Sequence, residues 1–286
     1  MKKLLKIFGI ICLLILIGAG TFAAYVYSKI PSEKDIKGCI ITTMYQVNLC
    51  PGSKDYVPLK SISPYLQKTV VLTEDSAFFQ HDGFDWKSIE ENAKKNLEKG
   101  VYAKGGSTIS QQLAKNMFLY KDKTLLRKGL EALITKKIET TLKKNEILER
   151  YLNVVEFGKD IYGVKQAANF YFKKTPAQLD VVESAFLAMI LPSPVKYSQS
   201  YFRKELTPFA HKRLKRIVSD MYQYSRITEQ EYNVAAAEVD GLFSQTAAPD
   251  FLSEIENSGG NVNGTATAPG DPEIPDELKG EEDSFF

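Results

Sequence analysis

The sequence predicts an all-α domain carried on a single N-terminal transmembrane helix. Residues 7–28 are apolar and uncharged, which is typical of a membrane span. From residue 61 to about residue 191, apolar residues recur at intervals of three and four, the period of an amphipathic helix. Hydrophobic content of 44% and charged content of 25% are ordinary for a globular protein. The only strand that we predict is a short one near Cys39.

The N-terminal segment has the properties of a membrane anchor. Residues 1–6 contain three lysines, and the stretch Ile7–Ser28 that follows would span roughly 33 Å as a helix, about the thickness of a bilayer core. The lysines predict a cytoplasmic N-terminus, so everything after Lys29 lies outside the cytoplasm. A cleaved signal peptide is the alternative, with Thr21 and Ala23 at a weak cleavage site, but the apolar run is long for one.

Residues 29–57 are predicted to form an extracytoplasmic linker. Cys39 and Cys50 lie in this segment, where oxidation is permitted. Two alternatives follow: a disulfide that closes the short loop between them, or two free thiols. Cys12 lies inside the membrane span and is interpreted as a small apolar residue. Neither the cysteines nor the two histidines have the spacing of a zinc site.

The first polar motif is "TEDSAFFQHDGFDWKSI", residues 73–89. Glu74 and Asp75 stand side by side directly after an apolar run. Adjacent carboxylates repel each other and resist burial, so ordinary core packing does not require them. A functional site and a polar loop after a helix are the two interpretations.

The second motif is "GGSTISQQLAKNMFL", residues 105–119. Thr108 and Gln111 have the spacing of a capping box, which predicts a helix start at this point. On that helix, Gln111, Gln112 and Lys115 fall opposite the apolar arc. Amides and an ammonium group near a helix N-terminus suit sugar hydroxyls and phosphate, and a solvated polar face is the alternative. Ser107 is interpreted as a binding or capping hydroxyl.

The third motif is "TLLRKGLEALITKKIETTL", residues 124–142. Helical geometry places Glu131 within the apolar arc, and Arg127 lies one turn before it on the same face. A charged pair on the core side is costly unless it is satisfied or functional. The pair is therefore either a structural ion pair or one wall of an active site. Lys123 and Lys128 add positive charge beside it.

The C-terminal part of the chain differs in composition and charge. Residues 201–247 predict two or three further amphipathic helices, and residues 248–286 have the composition of a disordered tail. Ten acidic residues and one lysine lie after residue 249, so 36 basic and 25 acidic residues precede it, a net charge of +11. A basic body favours an anionic partner. Nucleic acid is not expected as that partner, because the domain is predicted to lie outside the cytoplasm.

Four motifs in order resemble those of the family 51 peptidoglycan glycosyltransferases. They are "EDSAFFQHDGFDW", "GGSTISQQLAKN", "RKGLEALITKKIE" and "KNEILERYLNVVEFGKDIYGVKQAANFYFKK", and the resemblance covers roughly residues 58–200. The segment "YLNVVEFG", with Glu156, is most similar to the monofunctional biosynthetic transglycosylases. Ser110 replaces the commoner threonine, and the family explains neither the Cys39–Cys50 segment nor the acidic tail. The resemblance implies a lysozyme-like fold for residues 58–200.

The resemblance also implies an activity and a site. The substrate would be lipid II together with the growing glycan chain at an inner membrane, and proteins of a cell-wall synthesis complex are candidate partners. Glu74 would be the catalytic base, and Glu131 would assist near the pyrophosphate, with Mg²⁺ or another divalent cation as a candidate ion bound by Glu131. An apolar surface that dips into the membrane is expected within residues 84–104. The residues expected to bind substrate are Ser107, Thr108, Gln111, Gln112, Lys115, Lys123, Arg127 and Lys128.

Two other functions remain as alternatives. Lysozyme-like folds also include lytic enzymes that use a glutamate as acid, but a neutral glycan leaving group does not need four cations. The second alternative is a non-catalytic scaffold for a division or elongation complex. The presence of Glu74, Glu131 and Lys115 weighs against it.

Overall fold

The structure is a computed structural model, and it describes residues 2–99, 106–122 and 124–243. For residue 2 and residues 95–99 it describes the backbone alone. The predicted disordered tail, residues 248–286, and Lys123 lie outside the described residues.

The chain begins with a long apolar helix, α1 (Lys2–Ser28). Most of its large side chains are exposed, as Leu5 and Leu16 show, each 69% exposed. Among the described residues, this is the one helix long and apolar enough to cross a membrane. A short helix, α2 (Glu33–Lys37), follows, and Ser32 and Asp35 form a capping box at its start.

The predicted linker contains a small hairpin closed by a disulfide. Strands β1 (Ile40–Ile41) and β2 (Asn48–Leu49) pair antiparallel, which confirms the short strand predicted near Cys39. Of the two alternatives for the cysteines, the structure has the disulfide between Cys39 and Cys50.

The rest of the described chain is mainly helical, which confirms the all-α prediction. Short 3₁₀ segments occur at Leu59–Ser61, Pro176–Gln178 and Val239–Gly241. The helices are α3 (Pro64–Glu74), α4 (Trp86–Lys99), α5 (Ile109–Phe118), α6 (Leu125–Thr141), α7 (Lys144–Val154), α8 (Gly163–Phe172), α9 (Val181–Ile190), α10 (Pro194–Tyr197), α11 (Gln199–Phe202), α12 (Pro208–Gln223) and α13 (Glu229–Glu238).

Helix α9 lies at the centre of the domain. Every one of its residues is buried, and it packs against α3 on one side and α12 on another. Asp180 and Glu183 form the capping box at its N-terminus, and prolines 192 and 194 follow its end. The prediction of a fully buried helix in this segment is confirmed.

The prediction that the strand near Cys39 is the only one was wrong, because a second hairpin follows α7. Strands β3 (Glu156–Gly158) and β4 (Ile161–Tyr162) pair antiparallel with an irregular register. Two- and three-residue strands are too short to produce a detectable alternation of apolar and polar residues. Gly163 follows with φ +77°, and a Cβ there would lie 2.5 Å from the carbonyl oxygen of Asn153. Glycine therefore allows the hairpin to return against the end of α7.

Helix α5 carries Gln111, Gln112 and Lys115 of the predicted site, and it packs against both α6 and α7. The apolar arcs predicted for α5 and α6 are buried, as expected from their helical period. Their buried residues are Ile109, Leu113, Ala114 and Met117 on α5, and Leu130, Ile134 and Ile138 on α6, with Leu142 directly after it.

Candidate active site

Asp75 anchors the start of α5. It is buried, and its Oδ2 accepts a hydrogen bond of 3.0 Å from the backbone N–H of Ile109. Its Oδ1 lies 2.9 Å from Nε2 of His81. The backbone N–H of Gly83 donates to Nδ1 of the same ring at 3.1 Å, so Nε2 carries the proton that Asp75 accepts. Asp75 therefore joins the end of α3 to the first turn of α5.

Glu74, the last residue of α3, contacts the polar side of α5. The Nε2 group of Gln112 donates to Glu74 Oε2 at 3.0 Å, and the hydroxyl of Tyr151 donates to Gln112 Oε1 at 3.0 Å. Burial raises the pKa of Tyr151, and the nearby charges of Glu74 and Asp75 add to the effect, so its phenol remains a donor. Tyr151 thus fixes the amide so that its N–H groups face the carboxylate.

Sequence reasoning missed the role of Tyr151. Its position on the apolar stripe of α7 indicates only a core residue, and it is indeed completely buried. A buried tyrosine generally needs a hydrogen-bond partner for its hydroxyl, and this requirement is the one available signal. The sequence does not indicate that the partner is Gln112, 39 residues away.

Thr108 and Gln111 form the predicted capping box. The backbone N–H of Gln111 donates to Thr108 Oγ1 at 3.2 Å, and the Thr108 N–H donates to Gln111 Oε1 at 3.1 Å. Thr108 Oγ1 also donates to the carbonyl oxygen of Gly83 at 2.7 Å. Both side chains are buried, so the prediction that Gln111 lies on an open polar arc is wrong. Its side chain folds back over the helix N-terminus.

Glu131 lies in a buried charge cluster. Its side chain is 3% exposed, and its two oxygens accept from Arg127 Nη1 at 2.8 Å and from Lys128 Nζ at 2.5 Å. Lys128 Nζ also lies 3.4 Å from the hydroxyl of Ser107. The predicted charged pair on the core side of α6 is present, and Lys128 makes it a group of three. Within the described residues, the Nε of Arg127 is buried and makes no hydrogen bond.

Lys115 belongs to the same charged region. It is half-buried, and this burial lowers the pKa of its ammonium group. The charges of Glu131 and Glu74 oppose that shift, while Arg127 and Lys128 reinforce it. Helices α3, α5 and α6 therefore bring three cations and two carboxylates together. Lys123, predicted to join them, lies outside the described residues.

A second network joins α5, α6 and α7. The hydroxyl of Ser110 donates to Glu139 Oε1 at 2.5 Å, and Lys144 Nζ donates to the same oxygen at 2.7 Å. The Lys144 ammonium also lies 4.6 Å from the ring centroid of Phe78. Serine at position 110 thus retains the hydroxyl of the commoner threonine. This network, which sequence reasoning missed, connects the first three motifs with α7.

Part of the stretch expected to dip into the membrane is described, residues 84–99. Trp86 opens α4, stacks on Phe84 and is 71% exposed. A cavity of about 570 Å³ lies beside these rings and is separate from Glu74 and Glu131. Its lining residues are Gln80, His81, Asp82, Phe84, Asp85, Trp86 and Lys136.

The residues around Glu131 do not fit a resident divalent cation. Both carboxylate oxygens are bound by cationic side chains, whereas Mg²⁺ prefers carboxylates that are free to coordinate it. Across the described ranges, no group of three or more His, Cys, Asp or Glu side chains could hold a metal ion.

Comparison with known proteins gives several matches. The Transglycosylase family profile matches residues 42–222. A protein of Aromatoleum aromaticum named "Biosynthetic peptidoglycan transglycosylase" is 47% identical over 147 residues, 51% of this chain and 64% of its own length. A protein of the same name from Mannheimia succiniciproducens is 46% identical over 153 residues, 54% of this chain and 60% of its own. The chain thus spans slightly less than two thirds of these relatives.

Among solved structures, penicillin-binding protein 1A from Haemophilus influenzae matches with 27% sequence identity and a TM-score of 0.28. That match covers 46% of this chain and 16% of the other. The family profile covers more than half of the chain and includes all four motifs. This family match also agrees with the lysozyme-like, all-α fold predicted from the sequence. The chain therefore belongs to the transglycosylase family.

Proposed function

We propose that this chain is a peptidoglycan glycosyltransferase that polymerises lipid II into glycan strands. The observation that carries the proposal is the arrangement of Glu74, held by Gln112, beside the cationic group of α5 and α6. One carboxylate can accept a proton, and the cations can stabilise an anionic leaving group. The names of the relatives, biosynthetic peptidoglycan transglycosylases, agree with this chemistry.

In the proposed reaction, Glu74 acts as the general base. It removes the proton from the 4-hydroxyl of the acceptor N-acetylglucosamine, and that oxygen attacks C1 of the donor N-acetylmuramic acid. The bond between C1 and the pyrophosphate oxygen breaks, the anomeric centre inverts, and undecaprenyl pyrophosphate leaves with the bonding electrons. A positioned general base typically increases the reaction rate by roughly 10²–10⁴-fold. Gln112 would orient the carboxylate for this step, supported by Tyr151.

The cations would stabilise the leaving pyrophosphate. Negative charge grows on this group as the glycosidic bond breaks, so cations that are already in place lower the barrier most effectively. Glu131 binds Arg127 and Lys128 and so holds both groups in one arrangement. The half-buried ammonium of Lys115 and the partly exposed ammonium of Lys128 would then be available to the phosphate oxygens. Thr108 and Gln111 would support the site through the helix cap.

We propose a single-pass location in the inner membrane, with the domain outside the cytoplasm. The uncharged stretch Ile7–Ser28 of α1 and the three lysines at the N-terminal end of the helix support this orientation. The anchor would keep the charged region of α3, α5 and α6 at the level of the lipid-linked pyrophosphate. Proteins of a cell-wall synthesis complex remain candidate partners.

A lipid II assay tests the proposal. The full chain in detergent is mixed with labelled lipid II, and products are separated by length. We expect long glycan chains and released undecaprenyl pyrophosphate. Glu74→Gln should abolish both while leaving the fold intact, because an amide of equal size cannot accept the proton. Glu229→Gln, at an exposed carboxylate at the start of α13, is the matched control and should polymerise normally.

Other outcomes point to the alternatives. Shortening of preformed glycan without synthesis would identify a lytic enzyme. Absence of both reactions would support a scaffold. Substantial polymerisation by Glu74→Gln would refute the assignment of the base.

A further inference from the structure

The disulfide-closed loop, residues 39–50, binds the C-terminal end of α5. The backbone N–H of Thr43 donates to the carbonyl oxygen of Met117 at 2.9 Å, and that of Met44 donates to the carbonyl of Asn116 at 3.4 Å. The last carbonyls of a helix have no partner within the helix. The loop supplies two of those partners for α5, as a neighbouring strand would.

The loop itself has little structure that could hold this shape alone. Its two strands contribute two residue pairs, and an isolated short hairpin is marginally stable in water. Buried Thr42 binds the turn internally, because its Oγ1 accepts from the Val47 N–H at 2.9 Å. The Cys39–Cys50 disulfide closes the hairpin next to these pairs and restricts the other conformations that the loop could adopt.

Tyr45 connects the tip of the loop to the β3–β4 hairpin. Its ring packs on that of Tyr162, with centroids 4.7 Å apart, and the Lys121 ammonium lies 4.9 Å from its centroid. Burial raises the pKa of its phenol, and the nearby carboxylate of Glu156 adds to the shift. The loop therefore contacts both the end of α5 and the hairpin that follows α7.

These contacts lie next to residues of the proposed site. Lys115 immediately precedes Asn116, whose carbonyl the loop binds, and Gln112 lies one turn earlier on α5. We propose that the disulfide-closed loop positions Gln112 and Lys115 in the active site, with Tyr45 as its main positioning residue. This inference rests on the proposed function. Neither Tyr45 nor the disulfide needs to touch substrate, since both act through α5.

The physical reason is the precision that catalysis demands. A catalytic group displaced by about 1 Å can lose up to roughly a hundredfold in rate while its binding contacts survive. Loss of the loop should therefore reduce kcat more than it changes KM. A loop that contributes only stability would instead lower the thermal midpoint and leave the kcat of the folded protein unchanged.

The first experiment opens the loop in the full-length protein. Cys39→Ser and Cys50→Ser are combined, with Cys12 retained, and lipid II turnover is measured at a temperature where both proteins are folded. We expect kcat to fall about tenfold, with KM changed by less than about twofold. Hydrogen exchange should accelerate at the amide of Leu119, which bonds to the carbonyl of Lys115, and should stay unchanged in α9.

The second experiment separates positioning from packing. Tyr45→Ala removes the ring and the hydroxyl, whereas Tyr45→Phe keeps the ring on Tyr162 and should retain most of the turnover lost by alanine. Tyr197→Ala is the matched control, because Tyr197 is also a half-buried ring, stacked on Phe209 with centroids 5.1 Å apart, and it lies in α10 rather than in the disulfide-closed loop. Tyr45→Ala should lower kcat, and Tyr197→Ala should not, at a similar loss of thermal midpoint.

The outcomes distinguish this inference from the function beneath it. A wild-type protein that makes no glycan refutes the proposed function. An active wild type whose opened-loop variant keeps full kcat overturns the positioning role. Equal kcat in Tyr45→Ala and Tyr197→Ala overturns it as well.

Discussion

The side chains of Glu74 and Asp75 leave the end of α3 in different surroundings. Gln112 contacts half-buried Glu74, whereas Ile109 and His81 bind buried Asp75. The repulsion between adjacent carboxylates is offset for Asp75 by two strong donors. Asp75 therefore holds two helices together, while Glu74, which contacts Gln112, is the proposed base.

At the residue scale, Lys115→Ala should impair turnover far more than stability. Loss of one prearranged cation from the leaving-group site should reduce kcat about a hundredfold. The half-buried side chain contributes some packing, so a small drop in thermal midpoint is expected. Parallel measurement of lipid II turnover and thermal unfolding checks this, with exposed Lys212→Ala as the control. Full turnover in the Lys115 variant would contradict the proposed role of this cation at the leaving group.

Glu131→Ala should damage both properties. Removal of this carboxylate leaves Arg127 and Lys128 close together without their shared partner. Breaking one member of a buried ion-pair group costs on the order of 3 kcal/mol. Chemical denaturation gives the stability change, and turnover is measured on the folded fraction. An unchanged midpoint would show that the cluster does not require its carboxylate.

The i,i+4 contact between Arg127 and Glu131 was predictable from sequence because it lies within one helix. Other site contacts were not. Ser110 meets Glu139 across 29 residues, and Tyr151 looks like any core aromatic. The sequence shows which side chains are polar, but only the packing of α5 against α6 and α7 determines which of them form hydrogen bonds with each other. Gln111 was misplaced because helical period ignores a side chain that folds back to cap its own helix.

At the element scale, α9 begins with a carboxylate that burial perturbs. Desolvation raises the pKa of Glu183 to about 7, although Lys174 at 2.8 Å opposes the shift. The folded state therefore binds this proton more tightly than the unfolded chain, whose glutamate has a pKa near 4.5. Glu183 should contribute stability that is fully present below about pH 4.5 and is lost as pH rises through about 7.

This prediction is tested by denaturation of the wild type and Glu183→Gln between pH 4 and 8. The stability of the wild type relative to the variant should fall as pH rises across that window, because glutamine does not titrate. A difference that stays constant, or that grows with pH, would contradict the raised pKa. Exposed Glu238→Gln serves as the control.

At the scale of the whole molecule, the acidic tail should be dispensable for the reaction. The tail has no pattern of apolar residues that could form a core, and all four motifs precede it. A chain ending before Pro249 should therefore retain its kcat for lipid II. Loss of activity on truncation would place the tail within the enzyme.

The buried position of α9 has a consequence for the order in which the chain can fold. Its apolar surface is covered partly by α3, made early, and partly by α12, made late. Until Leu214, Ile217, Val218 and Met221 of α12 arrive, one side of α9 faces water. A chain synthesised only as far as residue 200 would therefore expose an apolar side of α9 to solvent. Because α12 completes the burial of α9, we expect the core of the domain to form only after α12 has been synthesised.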